Sequence, residues 1–109
     1  MTYHVELTEG AYADLDRLAS PLARHSAASA DGFTRRFHEA LTRLETFPLG
    51  CGLAYESDDF PEPVRHLLFE VRRGRRYRAL FVVRDDVVTI FCIRAPGERP
   101  VQPGEVGFP

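Results

Sequence analysis

The stretch VRHLLFEVRRGRRYRALFVVRDDVVTIFCIR, residues 64–94, decides the fold. β-branched and aromatic residues dominate it, and two short polar segments interrupt it: Arg-Gly-Arg at 73–75 and Arg-Asp-Asp at 84–86. Apolar runs separated by Gly- and Asp-containing turns indicate strands joined as hairpins. We therefore predict three antiparallel strands at 64–72, 76–83 and 87–94, with a three-residue loop at each turn.

The residues before this stretch predict one further strand and two helices. Tyr3–Leu7 is short and alternating, which is typical of a strand. Apolar residues then recur at helical spacing from Ala11 to Leu22, and Thr8 is a candidate N-cap. Pro21 lies inside this pattern, so we expect it to end or kink the first helix near Ser20.

The second helix is predicted to begin near Ser29–Asp31 and to end before Pro48 and Gly50. It carries a continuous apolar stripe that consists of Phe33, Phe37, Ala40, Leu41, Leu44 and Phe47. Residues 51–63 form a loop with an acidic patch, and residues 96–109 form a tail rich in Pro and Gly. We expect a domain at 1–95, with the tail lying along it or loosely ordered.

Neither helix can bury its apolar stripe alone, and a bare three-stranded sheet is marginally stable. The sequence therefore predicts an α+β fold of the order strand–helix–helix–three antiparallel strands, with both helices packed on one face of the sheet. Strand alternation assigns the covered face to Leu67, Phe69, Val71, Tyr77, Ala79, Phe81, Val83, Thr89, Phe91 and Ile93. The opposite face is assigned to His66, Leu68, Glu70, Arg72, Arg76, Arg78, Leu80, Val82, Val88, Ile90, Cys92 and Arg94.

Charge is distributed unevenly along the chain. Residues 1–61 hold five arginines against ten acidic residues, whereas residues 62–99 hold nine arginines against five, and there is no lysine. This asymmetry indicates an anionic partner for the C-terminal half. With three-residue loops, Glu70 lies opposite Arg78, Arg72 opposite Arg76, and Arg76 near Arg94. The Arg72–Arg76 pair is unfavourable unless an anion relieves it or the turn is long and mobile.

Several classes of protein are disfavoured by composition. No apolar run reaches membrane-spanning length, and the N-terminus lacks the pattern of a signal peptide, so we expect a cytoplasmic location and no membrane partner. Cys51 and Cys92 are expected to be free thiols. No Cys/His spacing matches a metal site, and we expect no cofactor.

One ordered set of residues covers most of the predicted domain and matches the pattern of a known family. It consists of Thr8, Ala11, Asp14-Leu15, Phe33, Leu41, Leu44, Phe47-Pro48, Gly50, Val64-Arg65, Tyr77-Arg78-Ala79-Leu80-Phe81, Asp85-Asp86-Val87-Val88, Ile93-Arg94 and Arg99. In these residues the chain resembles the RelE/ParE superfamily, the toxins of bacterial type II toxin–antitoxin systems. The resemblance implies an antitoxin encoded beside the chain, a toxin–antitoxin hetero-oligomer, and either DNA gyrase or mRNA on the ribosome as the target.

In the RNA-cleaving branch the position of Arg78 contacts the scissile phosphate, for which a guanidinium fork is well suited. The alternative is a salt bridge from Arg78 to Glu70. Arg94 or Arg99 matches the basic residue after the last strand. His66 and Glu70 are candidate acid and base, although about 13 Å between their Cα atoms separates them too far for a tight pair. If the chain is a nuclease, the catalytic candidates are Arg78, Arg94, Arg99, His66 and Glu70.

The departures from the family favour the branch that blocks gyrase by binding. The second strand offers Leu68, Glu70 and Arg72 where the RNA-cleaving members use lysines, and the tail offers only Phe108 where they use an aromatic residue or histidine. We predict a target-binding set of Arg72, Arg76, Arg78 and Arg94. We predict an antitoxin-binding set of Leu80, Val82, Val88 and Ile90. A ribosome-dependent endoribonuclease and a non-toxic binding module remain the alternatives.

Overall fold

A computed structural model describes residues 2–109. The chain forms β1 (His4–Leu7), α1 (Glu9–His25), α2 (Ala27–Thr46), β2 (Arg65–Arg72), β3 (Arg75–Arg84) and β4 (Val87–Arg94), with short 3-10 turns at Pro48–Gly50, Ser57–Asp59 and Pro103–Glu105. The four strands make one sheet in the order β1-β4-β3-β2, in which β1 runs parallel to β4 and the other pairs are antiparallel. The predicted α+β fold is confirmed.

The two helices are joined by a single residue. The Ser26 N–H donates to the carbonyl of Leu22 at the end of α1, and the Ser26 hydroxyl accepts from the N–H of Ser29 in the first turn of α2. One serine therefore caps both helices, and α2 begins earlier than predicted. Thr8 caps α1 as expected, because its hydroxyl accepts from Ala11.

Pro21 does not end α1, which continues to His25. Proline removes one backbone hydrogen bond from a helix interior, and here it lies on the exposed side of the helix. Leu18, one turn before Pro21, is buried in the core beneath α1. We attribute the continuation past Pro21 to this packing, together with the capped end at Ser26.

The helices cover one face of the sheet and enclose the main core. Its large buried residues include Phe33, Phe37 and Leu44 of α2, and Leu67, Phe69, Tyr77, Phe81, Val88, Ile90 and Ile93 of the strands. The assignment of Val88 and Ile90 to the other face was therefore wrong, as was that of Thr89 and Phe91 to this one. Both hairpin loops contain two residues rather than three, and an irregularity after Leu80 leaves Phe91 opposite no residue of β3. Such a bulge reverses the alternation of the strand.

The face opposite the helices, here called the second face, is covered over part of its area. Leu80, Val82, Phe91 and Cys92 on this face pack against Ala54, Phe60 and Val64 from the loop and against Val101, Val106 and Phe108 from the tail. This part of the predicted open surface is thus a second core, whereas Leu68, Glu70 and Arg76 on the same face are exposed. The tail lies along the domain, which was one of the two alternatives expected from its composition.

Candidate functional site

The second face carries a cleft around Arg78, here called the Arg78 cleft. It has a volume of about 270 Å³ and is lined by Tyr55, Leu68, Arg76, Arg78, the segment 95–98 and Pro100. The sheet register places Arg78 between Leu68 of β2 and Arg94 of β4. The loop before β2 and the start of the tail form its walls.

Arg78 is buried in a two-pronged ion pair with Glu56. Its Nη1 donates to Glu56 Oε1 at 3.0 Å and its Nη2 donates to Oε2 at 2.8 Å. Arg78 is 8% exposed and Glu56 is 1% exposed. Paired, parallel hydrogen bonds of this kind are the strongest geometry available to a guanidinium and a carboxylate. Glu56 also accepts from the N–H of Val101 at 3.0 Å, so this carboxylate joins the loop, the sheet and the tail.

The pKa of Glu56 is lowered even though burial acts to raise it. Removal from water disfavours the carboxylate, but the hydrogen bonds from Arg78 and Val101 and the positive charge of Arg78 outweigh that effect. Glu56 therefore remains charged at neutral pH, and Arg78 is neutralised within the chain.

His66 and Tyr55 complete the surroundings of Arg78. Arg78 Nη1 lies 3.2 Å from His66 Nδ1, and the Arg78 guanidinium lies 4.9 Å from the centre of the Tyr55 ring. Burial lowers the pKa of His66, and the nearby charge of Arg78 lowers it further. Since arginine only donates, Nδ1 of the neutral ring is the acceptor and Nε2 carries the proton. The nitrogen of His66 that could accept a proton as a general base, Nδ1, thus already accepts a hydrogen bond from Arg78.

The lowered pKa of His66 predicts a pH dependence of stability. The unfolded chain takes up a proton near pH 6.5 while the folded chain resists it, so the free energy of unfolding should fall as the pH drops below about 6.5. We expect His66→Gln to flatten this slope between about pH 6.5 and 5 in thermal denaturation followed by circular dichroism. His38→Gln, at an exposed position on α2, is the control and should retain the slope. An unchanged slope in His66→Gln would assign the effect to other groups.

Arg94 and Arg99 are also paired with carboxylates of the chain. Arg94 Nη1 lies 3.3 Å from Glu98, and only 13% of the Arg94 side chain is exposed. Arg99 donates to both oxygens of Glu105 at 2.7 and 2.6 Å at an exposed position. These hydrogen bonds lower the pKa of Glu105 to about 2. The two arginines therefore support the tail, and neither presents a free fork in this conformation.

The other predicted site residues on the strands separate into two groups. Arg76 lines the Arg78 cleft and lies 3.8 Å from Glu70, its directly opposed neighbour, and both are exposed. The predicted pairing of Glu70 with Arg78 was wrong, because the two-residue loop and the irregularity between Glu70 and Arg72 together shift the register by two residues. Arg72 lies opposite Arg75 rather than Arg76, and an irregularity between Glu70 and Arg72 moves it away from the cleft. It lines a cavity on the helix side instead.

The predicted antitoxin-binding residues are inaccessible in this conformation. Leu80, Val82, Val88 and Ile90 are each at most 1% exposed, and they divide between the two cores. The prediction that these four residues form one accessible apolar surface was therefore wrong. The loop and the tail cover Leu80 and Val82, while the helices cover Val88 and Ile90. Their role in antitoxin binding stays a prediction, and it requires covering segments to move.

Glu56 and Tyr55 are the site residues that the sequence did not reveal. Both lie in the irregular loop between α2 and β2, where no periodicity indicates which side chains face inward. The one available signal was indirect: an arginine in the centre of an apolar strand must find a carboxylate if it is buried. That argument does not choose among the acidic residues at 56, 58 and 59.

Comparison with known proteins identifies the family. The strand order and the helix pair are compatible with the RelE/ParE-like fold of small toxin proteins. Residues 5–99 match the family model described as ParE toxin of type II toxin-antitoxin system, parDE, and the chain belongs to this family. It is thus the toxin of a type II toxin–antitoxin system, with a cognate antitoxin as partner. A search of curated proteins gave no match. Within residues 2–109, neither helix has the length and apolar character that crossing a membrane requires.

Proposed function

We propose that this toxin stops growth by binding DNA gyrase in the cytoplasm, without a catalytic step of its own, until its antitoxin neutralises it. The observation that carries the proposal is the buried ion pair between Arg78 and Glu56. An arginine that must stabilise a scissile phosphate needs guanidinium N–H groups that are free to donate to it. In Arg78, both Nη1 and Nη2 donate to Glu56. Releasing them would leave a buried carboxylate without its partner, which is strongly unfavourable.

The acid–base candidates support the same proposal. His66 has its acceptor nitrogen against Arg78, and Glu70 is exposed beside Arg76. General acid–base catalysis requires groups within hydrogen-bond reach of one reacting atom. With these partners, neither residue is arranged to act on a ribose hydroxyl at the centre of the Arg78 cleft.

The rim of the Arg78 cleft is suited to binding a protein. Tyr55 is 76% exposed, Leu68 is 38% exposed, and Arg76 stands beside them. Tyrosine and arginine are enriched among the residues that dominate protein–protein affinity. We therefore assign contact with gyrase to Tyr55, Leu68 and Arg76, and we assign to Arg78 and Arg94 the support of this surface from beneath.

Inhibition of purified gyrase tests the proposal. We expect the chain to inhibit supercoiling, and Arg76→Glu to raise the inhibitory concentration at least about tenfold, because charge reversal at a contact commonly costs more than 1.4 kcal/mol. The matched control is Arg35→Glu on α2, since Arg35 is equally exposed and lies 3.9 Å from Glu39. Both variants should keep the parent melting temperature.

Induction of the chain in bacteria separates the proposal from its rivals. DNA damage with intact mRNA supports gyrase as the target. Codon-linked breaks in mRNA by primer extension would instead identify a ribosome-dependent nuclease. Normal growth with good expression of folded protein would identify a non-toxic binding module. Either of the last two results contradicts the proposal.

A further inference from the structure

A separate cavity lies at the opposite side of the sheet from the Arg78 cleft, where the turn between the helices meets the β2–β3 hairpin. This hairpin cavity has a volume of about 200 Å³, which is room for one large apolar side chain. Leu22, Val71 and Tyr77 line its apolar interior, Gly32 of α2 forms part of its wall, and Arg72 and Arg75 stand at its rim.

Gly32 keeps this cavity open. A Cβ atom built on Gly32 would meet no atom within 4 Å, so no neighbouring backbone or side chain requires a glycine there. Glycine is nevertheless among the least favourable residues in a helix interior. Its position in the wall leaves space that any other residue would begin to fill.

The rim of the cavity carries an unrelieved concentration of positive charge. Arg72 and Arg75 are directly opposed in the sheet register, and both are exposed. Like charges in this position disfavour the hairpin. Within residues 2–109, neither guanidinium lies within 4.0 Å of a carboxylate, in contrast to Arg76, Arg78, Arg84, Arg94 and Arg99. A carboxylate placed between them would remove the repulsion and use their planar donors.

We propose that the hairpin cavity is a docking site for a partner protein, which inserts one large apolar side chain and places an adjacent carboxylate between Arg72 and Arg75. The apolar interior and the two rim cations together fit an acidic protein segment with one apolar anchor. A nucleic acid fits less well, because its affinity depends on a row of phosphate contacts, whereas this site offers a single apolar recess.

Three small probes test the two halves of the site separately. The first is 3-phenylpropionate, which combines an apolar ring with a carboxylate; 3-phenylpropanamide keeps the ring without the charge, and propionate keeps the charge without the ring. In titrations followed by amide shifts in NMR spectra, we expect saturable shifts at Gly32 and Val71 with 3-phenylpropionate. The amide should bind about two- to fivefold more weakly, as loss of an exposed ion pair predicts, and propionate should not saturate.

Variants locate the binding. Gly32→Leu should abolish the shifts by filling the cavity, and Gly32→Ala, a smaller change that favours the helix, should weaken them. Arg75→Glu should weaken binding of 3-phenylpropionate but not of its amide. Arg73→Glu is the matched control, because Arg73 belongs to the same hairpin but does not line the cavity. It should leave both affinities within about twofold of the parent.

Three results would overturn the proposal. One is the absence of saturable shifts for 3-phenylpropionate in the folded parent. Another is binding that persists in both Gly32 variants. The third is binding of a single-stranded oligothymidylate that Arg73→Glu and Arg75→Glu weaken equally and that displaces the probe, which would assign the surface to nucleic acid. None of these readouts involves gyrase, so the test is independent of the proposed function.

Discussion

Replacement of Glu56 by Ala is expected to lower the free energy of unfolding by about 3–5 kcal/mol, because it leaves the Arg78 guanidinium buried without a counter-charge. The lost carboxylate binds Arg78 through two hydrogen bonds and also accepts from the N–H of Val101, and it is 1% exposed. Urea denaturation followed by circular dichroism measures the effect. Such a loss is a large share of the stability of a domain of this size.

The chain offers a matched control in Glu62. This residue forms an equally two-pronged ion pair with Arg84 at 3.0 and 2.9 Å, across the same sequence separation of 22 residues, but at the surface. We expect Glu62→Ala to cost no more than about 1 kcal/mol, because exposed ion pairs contribute little. If the two variants lose equal stability, the buried geometry of Glu56 does not describe the protein in solution.

A double replacement separates structure from function at Arg78. The pair Glu56→Leu and Arg78→Met removes both charges together, and we expect it to recover stability to within about 2 kcal/mol of the parent, since apolar residues often replace a buried ion pair without loss. If Arg78 supports the surface and does not contact the target, the double variant should retain toxicity. Loss of toxicity with recovered stability would assign Arg78 a direct contact.

The sequence predicted the elements of this fold because helix and strand periodicities are local. The stripe of α2 and the apolar alternation of β2 and β3 identified the residues beneath the helices, with one exception. Phe47, predicted as the last residue of the stripe, lies beyond the end of α2 and is 71% exposed. The predictions failed in the strand register, which changes when a hairpin loop is one residue longer or shorter. Asp85 adopts a positive φ of 56° and Gly74 one of 74°, and these two-residue loops set a register that a three-residue loop would shift.

The candidate site was less predictable than the fold, because irregular segments create it. The positions of Arg76, Arg78 and Arg94 on one face followed from strand alternation. The predicted register, which placed Arg76 near Arg94, was wrong, because the two-residue loop and the irregularity after Leu80 bring Arg78 opposite Arg94. The partners that decide their chemistry, Glu56 and Glu98, come from segments without periodicity. The pairing of an arginine with its carboxylate depends on tertiary packing, which a single sequence does not encode in any local pattern.

Removal of residues 101–109 is expected to lower the free energy of unfolding by about 4 kcal/mol. Val101 is 1% exposed and Phe108 packs on Phe60 and Phe91, with ring centres 5.1 and 5.2 Å apart. Burial of these side chains contributes about 1.5–3 kcal/mol each when complete, and the hydrogen bond from Val101 to Glu56 adds about 1.5 kcal/mol. A chain that ends at Gly107 loses the contacts of Phe108 and the exposed hydrogen bond from Arg84 to the Pro109 carbonyl, and it should lose about 1–2 kcal/mol.

Cys92 provides a chemical readout of the same truncation. Burial on the second face raises the pKa of the Cys92 thiol to about 12, so its thiolate is nearly absent at pH 8. If removal of the tail uncovers the second core, its pKa should move toward the ordinary value of 9.0, and the rate of reaction with a disulfide reagent should rise by up to about a thousandfold. Cys51 belongs to the other core and is the internal control, since its rate should change far less.

Equal acceleration of both thiols would indicate global unfolding. An unchanged Cys92 in the shortened chain would show that the tail is not what covers this face.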